Sequence, residues 1–217
     1  MFEYKGLKIS WLGHASFRIQ DGQTIYIDPF EIKGEVKADI VFITHEHFDH
    51  CSLKDLKKII GPDTIIVAST LCKGELSNLK VKEIKYVKPG DELEVRGIKV
   101  KAIPSYNINK FRQPGVPFHP RENQGVGYIL NIGGVTIYHT GDSDFIPEME
   151  GLKPDIALIP VSGTYVMTAD EAIQAVSKIA PKIAIPMHYG AIVGSEKDAE
   201  RFSQRVSCKV HILKKEE

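Results

Sequence analysis

Six consecutive residues, His45-Glu46-His47-Phe48-Asp49-His50, bring four metal-ligand side chains together directly after the apolar run Ile40-Val41-Phe42-Ile43. Packing does not require such a cluster, because imidazoles and carboxylates are buried at a cost unless they are paired or hold a metal. The apolar run reads as a buried strand, so the fold must contain a strand whose tip carries these polar groups. Neutral imidazoles with a carboxylate suit zinc. Backbone passing from strand to turn can splay His45 and His47 toward one ion while Asp49 and His50 face a second. The cluster reads as a metal site rather than a solvated loop.

The rest of the chain must supply a scaffold for it. Its 217 residues are enough to bury a core without staples, and they read as one domain, residues 1–217. The 28 basic and 28 acidic residues balance, which argues against a nucleic-acid or membrane-binding surface. Three cysteines (Cys51, Cys72, Cys208) without a C-x-x-C pair do not make a disulfide framework. The start shows no basic segment followed by an apolar one, and no apolar run approaches the ~20 residues of a membrane helix. A soluble cytoplasmic protein is expected.

Short β-rich runs at 8–12, 16–19 and 24–28, the last two separated by the turn Asp21-Gly22, open the chain. A strand at 39–44 leads into the cluster. A helix follows, with Ser52 as N-cap, Asp55 three residues on, and Leu53, Leu56, Ile59 and Ile60 at helical spacing until Gly61-Pro62. A strand at 64–68, a short helix and a hairpin at 92–103 around Gly97 come next. Residues 105–127, rich in Asn, Pro, Gly and Gln, are too long for an ordinary connection and read as a functional loop. Strands at 126–132 and 135–139 flank Gly133-Gly134. Strands at 155–160 and 182–186 are separated by a helix with Ala172, Ile173, Val176 and Ile179 inward, and a helix at 196–206 and a strand at 209–213 close the chain. Two strand-rich halves, each with helices on one side, predict two sheets face to face under outer helices, a four-layer αββα sandwich of the α/β class.

Three further ligand types stand at predicted strand ends: Asp28 before Pro29, Asp142 after Thr140-Gly141, and His188 after Pro186-Met187. In this order, with the H-x-H-x-D-H cluster, they resemble the metallo-β-lactamase superfamily over nearly the whole chain. The motifs Trp11-Leu12-Gly13-His14-Ala15-Ser16-Phe17, Ile27-Asp28-Pro29-Phe30 and Pro186-Met187-His188-Tyr189 are similar to those of the branch that holds ascorbate-6-phosphate lactonase and phospholipase-D-like hydrolases.

The resemblance implies the metallo-β-lactamase fold, with His45 and His47 on a first metal, Asp49, His50 and His188 on a second, and Asp142 bridging them. A metal-bound hydroxide would be the nucleophile, and Asp49 would orient it and take or return a proton. Asp28 would hold the cluster from behind without ligating. His14 lies near the site, where a hydrogen-bonded supporting role is favoured over ligation. Zinc is expected, as one or two ions, with Mn2+ or Fe2+ as the alternatives. One position departs from the pattern: Asn107 stands where a third imidazole is expected. Either the first site is weak, or another group completes it, and His119 is the histidine of the long loop that can act as metal ligand or substrate contact.

Lys110, Arg112 and Arg121 either bind an anionic group of the substrate or are solvated, and Tyr165 is a candidate to line the pocket. The activity this implies is zinc-dependent hydrolysis of a small ester, lactone or phosphodiester. Three alternatives stand beside it. An iron-bound redox enzyme of this kind generally carries a carboxylate where this chain has His47. An RNA-processing nuclease would add a clamp domain or a basic excess. A non-catalytic metal-binding relict would not need to keep six ligand positions.

Overall fold

Short apolar runs, some alternating and some fully buried, build one mixed sheet from the first ninety positions. The computed structural model describes residues 1–33 and 36–216. Its backbone contacts group into two units, Met1–Lys88 with Leu213–Glu217, and Pro89–Ile212. In the first unit, β1 (Phe2–Tyr4), β2 (Leu7–Gly13), β3 (Ser16–Gln20) and β4 (Thr24–Ile27) form an antiparallel meander. The chain then adds β5 (Ile40–Ile43), β6 (Ile65–Ser69) and β7 (Glu83–Val87), each parallel to the strand before it. Parallel neighbours need a crossover. The helix α1 (Leu53–Ile59) lies in the crossover from β5 to β6, and a 3₁₀ turn with α2 (Lys73–Leu76) in that from β6 to β7.

Ser52 caps α1 as its spacing predicts, accepting from Asp55 N and donating to Asp55 Oδ2 at 2.7 Å. Asp55 also accepts from Glu31 N and Ile32 N. Burial would raise the Asp55 pKa, but these bonds and Lys58 outweigh it and hold the carboxyl below the usual range. The helix that leaves the His45–His50 cluster is thereby tied to the segment that follows Asp28.

The second unit repeats the layout. β8 (Glu92–Val95) and β9 (Ile98–Pro104) form a hairpin, and a small separate ribbon pairs β10 (Phe111–Gln113) with β11 (Val116–Pro117). β12 (Val126–Ile132) and β13 (Val135–His139) continue the antiparallel part, and β14 (Ile156–Pro160), β15 (Ile183–Met187) and β16 (Lys209–Val210) are parallel. Helices α3 (Ala169–Ile179) and α4 (Glu196–Arg205) are the crossovers. Four features differ from the sequence reading. β1 and β7 are edge strands of partly exposed residues, so their periodicity is weak. The long loop contains the exposed ribbon. The last strand stops at Val210 because the chain beyond joins the first unit, where Glu216 N donates to Trp11 O. Among the described residues no helix is long and apolar enough to cross a membrane.

Gly127 sets how closely β12 can approach the end of β13. A Cβ there would lie 2.6 Å from both His139 O and Thr140 O, which are backbone atoms that cannot rotate away. Gly127→Ala should therefore cost about 1–3 kcal/mol as an overpacked site, read as a thermal midpoint several degrees lower. An unchanged midpoint would show that this strand end yields freely.

Candidate metal centre

Outside the long loop, the candidate site residues follow strands at the same end of their sheet. His14 follows β2, Asp28 follows β4 and the cluster follows β5 in the first unit. In the second unit Asp142 follows β13, Ser162 follows β14 and His188 follows β15. Sites in α/β sheets form at such carboxyl ends, where the chain leaves the hydrogen-bonded ladder and side chains are free to converge.

In the first unit the proton positions follow from the partners. Thr44 Oγ1 donates to Asp28 Oδ2 at 2.7 Å, so its oxygen accepts from His45 Nδ1 at 2.9 Å. His50 Nδ1 donates to the same Asp28 oxygen at 2.7 Å, and Thr44 N donates to Asp28 Oδ1 at 2.8 Å. Both rings thus hold their proton on Nδ1 and carry the lone pair on Nε2. His45 Nε2 lies 3.2 Å from His47 Nδ1, and His50 Nε2 lies 3.8 Å from Asp49 Oδ2. A tetrahedral zinc with bonds of ~2.0–2.1 Å spaces its ligand atoms about 3.3 Å apart, so the donor set fits such an ion. His14 Nε2 lies 2.9 Å from Asp49 Oδ2, and His14, Asp49 and His50 offer ligand atoms within 4.8 Å of one another.

In the second unit His188 Nδ1 faces Ser162 Oγ at 3.2 Å and its Nε2 faces Asp142 Oδ2 at 3.1 Å. His119 Nε2 is 3.6 Å from the same carboxylate oxygen. Asn107 lies behind His119, bonded to its backbone and ring. His14 (φ 51°), Asp28 (φ 44°) and His188 (φ 61°) all sit in the left-handed backbone region. Non-glycine residues pay strain there, and such strain collects where a site needs a particular side-chain direction.

The loop cations are occupied by the protein itself. Arg121 pairs with Glu148 at 2.7 Å and stacks over the Tyr106 ring, and Arg112 lies over Phe118 and donates to its carbonyl. Lys110 is held by Glu171 at 2.7 Å and by Asp144 at 3.3 Å. Tyr165 (φ 69°) sets its ring edge-on to Phe118 and turns its carbonyl to Asn107. His139 is buried within β13 and accepts from Gly141 N, and Cys51 is part of the apolar core.

Sequence reasoning missed Ser162, Asp144 and Glu171, which position these groups. Glu171 alone carried a local signal, the Thr168-x-x-Glu171 capping box of α3. Burial would raise the Glu171 pKa, yet bonds from Lys110, Thr168 and Asn109 outweigh it and hold the carboxyl at about 2. The free carboxyl titrates near ~4.3. A depressed folded pKa gives stability that is whole above the unfolded value and lost as pH falls through about 2. Denaturant titrations should show the wild type losing, between pH ~4.5 and 2, stability that Glu171→Gln lacks already at neutral pH. Parallel curves for the two proteins would remove Glu171 as a tether of the loop.

Residues 8–188 match the model of the Beta-lactamase superfamily domain. The chain belongs to that superfamily. A UPF0173 metal-dependent hydrolase of Thermoplasma acidophilum is 34% identical over 212 residues, 91% of this chain and 90% of its own length. A protein of Parabacteroides distasonis, described as a metal-dependent hydrolase, has a crystal structure with a TM-score of 0.83 at 33% identity, covering 97% of this chain and 94% of its own. Igni18, a metallo hydrolase of Ignicoccus hospitalis, shares the fold at 24% identity and a TM-score of 0.77, covering 97% of this chain and 96% of its own. The family is thus that of the metal-dependent hydrolases, and the fold is the metallo-β-lactamase fold that the motif order implies.

Proposed function

We propose that this chain is a zinc-dependent hydrolase of a small ester, lactone or phosphodiester. The observation that carries the reading is the shared tautomer of His45 and His50. A buried acceptor takes each Nδ1 proton, and each lone-pair nitrogen faces another ligand-type atom. Supporting partners of this kind fix ring orientation in metal proteins.

In this reading His45, His47, Asp49 and His50 of the first unit and Asp142 and His188 of the second would be metal ligands. Family membership and the donor chemistry of each unit taken by itself support the assignment. Bound zinc would supply Lewis acidity and would bring the pKa of water toward ~7. Asp49 orients the attacking water, accepts its proton and returns it to the leaving group. His14 holds Asp49 by the 2.9 Å bond to Oδ2, and Asp28 holds His50 and Thr44. His47, in place of a carboxylate, favours zinc over iron, and the balanced charge gives nothing to steer a polyanionic RNA.

Elemental analysis after dialysis against zinc should find bound metal in the wild type and far less in His47→Ala and His188→Ala. Screening the zinc-loaded protein on lactone, ester and phosphodiester panels, with a chelated control, should then show metal-dependent turnover on one class. Equal metal in all three proteins would overturn the ligand assignment, and turnover indifferent to chelation would overturn the chemistry.

A further inference from the structure

The partners of Asn107 leave its side chain a single orientation. The backbone N–H of His119 can only donate, and it lies 2.9 Å from Asn107 Oδ1. The carbonyl of Tyr165 can only accept, and it lies 2.8 Å from Asn107 Nδ2. The amide therefore cannot be flipped. His119 Nδ1 lies 2.9 Å from the same Oδ1, and because that oxygen only accepts, Nδ1 carries the ring proton. The lone pair of neutral His119 is then on Nε2, the atom 3.6 Å from Asp142 Oδ2. Both lone pairs of Asn107 Oδ1 are taken by His119, so the amide has no acceptor left to offer an ion.

We propose that His119 is a metal ligand beside Asp142, and that Asn107 does not ligate but clamps the His119 ring. The inference rests on the metal-centre reading above and adds a ligand carried on the long loop. It has a consequence for that loop. Asn107 and His119 are 12 positions apart and form the base of the β10–β11 ribbon, with Asn107 N also donating to His119 O at 2.8 Å. The first arm is anchored separately, by Ile108 N and Asn109 N on Asp144 Oδ2 and by Lys110 on Glu171. β10 is exposed and β11 half-buried, and the second arm is held at its base by Asn107, by the Phe118 ring on Tyr165 and by Arg121 on Glu148. A metal on His119 would add one more tie to that arm, so metal binding tightens the ribbon at its base.

The test uses the full-length protein, stripped of metal and titrated with zinc against a chromophoric chelator. Tryptic cleavage after Arg112 is followed in parallel. His119→Ala should lose one zinc equivalent or weaken it at least a hundredfold, and Asn107→Ala should weaken the same step about 10–100-fold, the range of supporting residues. Because the clamp acts only through His119, adding Asn107→Ala to His119→Ala should cost nothing more. Zinc should slow cleavage at Arg112 in the wild type and not in His119→Ala. His119→Gln serves as a second variant should alanine disturb the fold, with the melting curve of the chelated proteins as the control. Wild-type zinc affinity in both His119 variants, or a further loss in the double variant, would overturn the inference while leaving the metal centre standing. A wild type that binds no zinc would bring down the metal-centre reading and this one with it.

Discussion

Asp49→Asn should lower hydrolysis by orders of magnitude while the chelated protein melts as the wild type does. The carboxylate is nearly buried, and one oxygen is held 2.9 Å from His14 Nε2. An amide of the same shape can still accept one hydrogen bond from His14, so packing is preserved. It cannot take a proton from water at neutral pH, and it is a poorer ligand for a cation than a carboxylate. Removing a general base typically costs ~10²–10⁴ in rate, and the weakened metal interaction adds to that. Rates on whichever substrate the panels reveal, measured with zinc in excess, decide the matter. Turnover within a few-fold of wild type would remove Asp49 from the chemistry.

Asp28→Ala should be the most destabilising change in the first unit. The residue is fully buried, and its two oxygens accept from Thr44 N, Thr44 Oγ1 and His50 Nδ1. Alanine leaves three donors in a dry site without this acceptor, which costs roughly 3–5 kcal/mol by analogy with a broken buried pair. For a chain of this size that corresponds to a midpoint lower by roughly 6–20 °C. Asp28→Asn separates stability from function. Its oxygen still serves Thr44 N, but its NH₂ faces His50 Nδ1 and drives the ring proton to Nε2. Zinc affinity should then fall about 10–100-fold with a smaller loss of stability. Urea melts in chelator and zinc titrations on both variants give the two readouts. Wild-type behaviour in each would mean that His50 owes its orientation to something other than Asp28.

The cluster His45 to His50 stands out in the sequence because its donor-type side chains are adjacent in the chain and follow a strand of unbroken apolar residues. Asp28, Asp142 and His188 were legible for the same reason, each standing one to three residues past a run with strand periodicity. The capping serine of α1 and the alternation of β12 and β13 belong to the same class of local signal. These depend on bond geometry and side-chain direction over a few residues, which sequence spacing encodes directly.

Asn107, Lys110 and the 105–127 loop belong to the other class. As a sequence position Asn107 reads as a defective ligand, whereas in the fold its amide is spent on His119 and Tyr165, 12 and 58 positions away. Lys110 reads as a free cation for a substrate anion, whereas Glu171, 61 positions on, neutralises it. The sequence alone determined the strand order's local pieces, the superfamily and the donor types at the strand ends. Only the tertiary structure decided which side chains support others, because those bonds depend on where distant segments meet once the loop has closed, and no local periodicity records that.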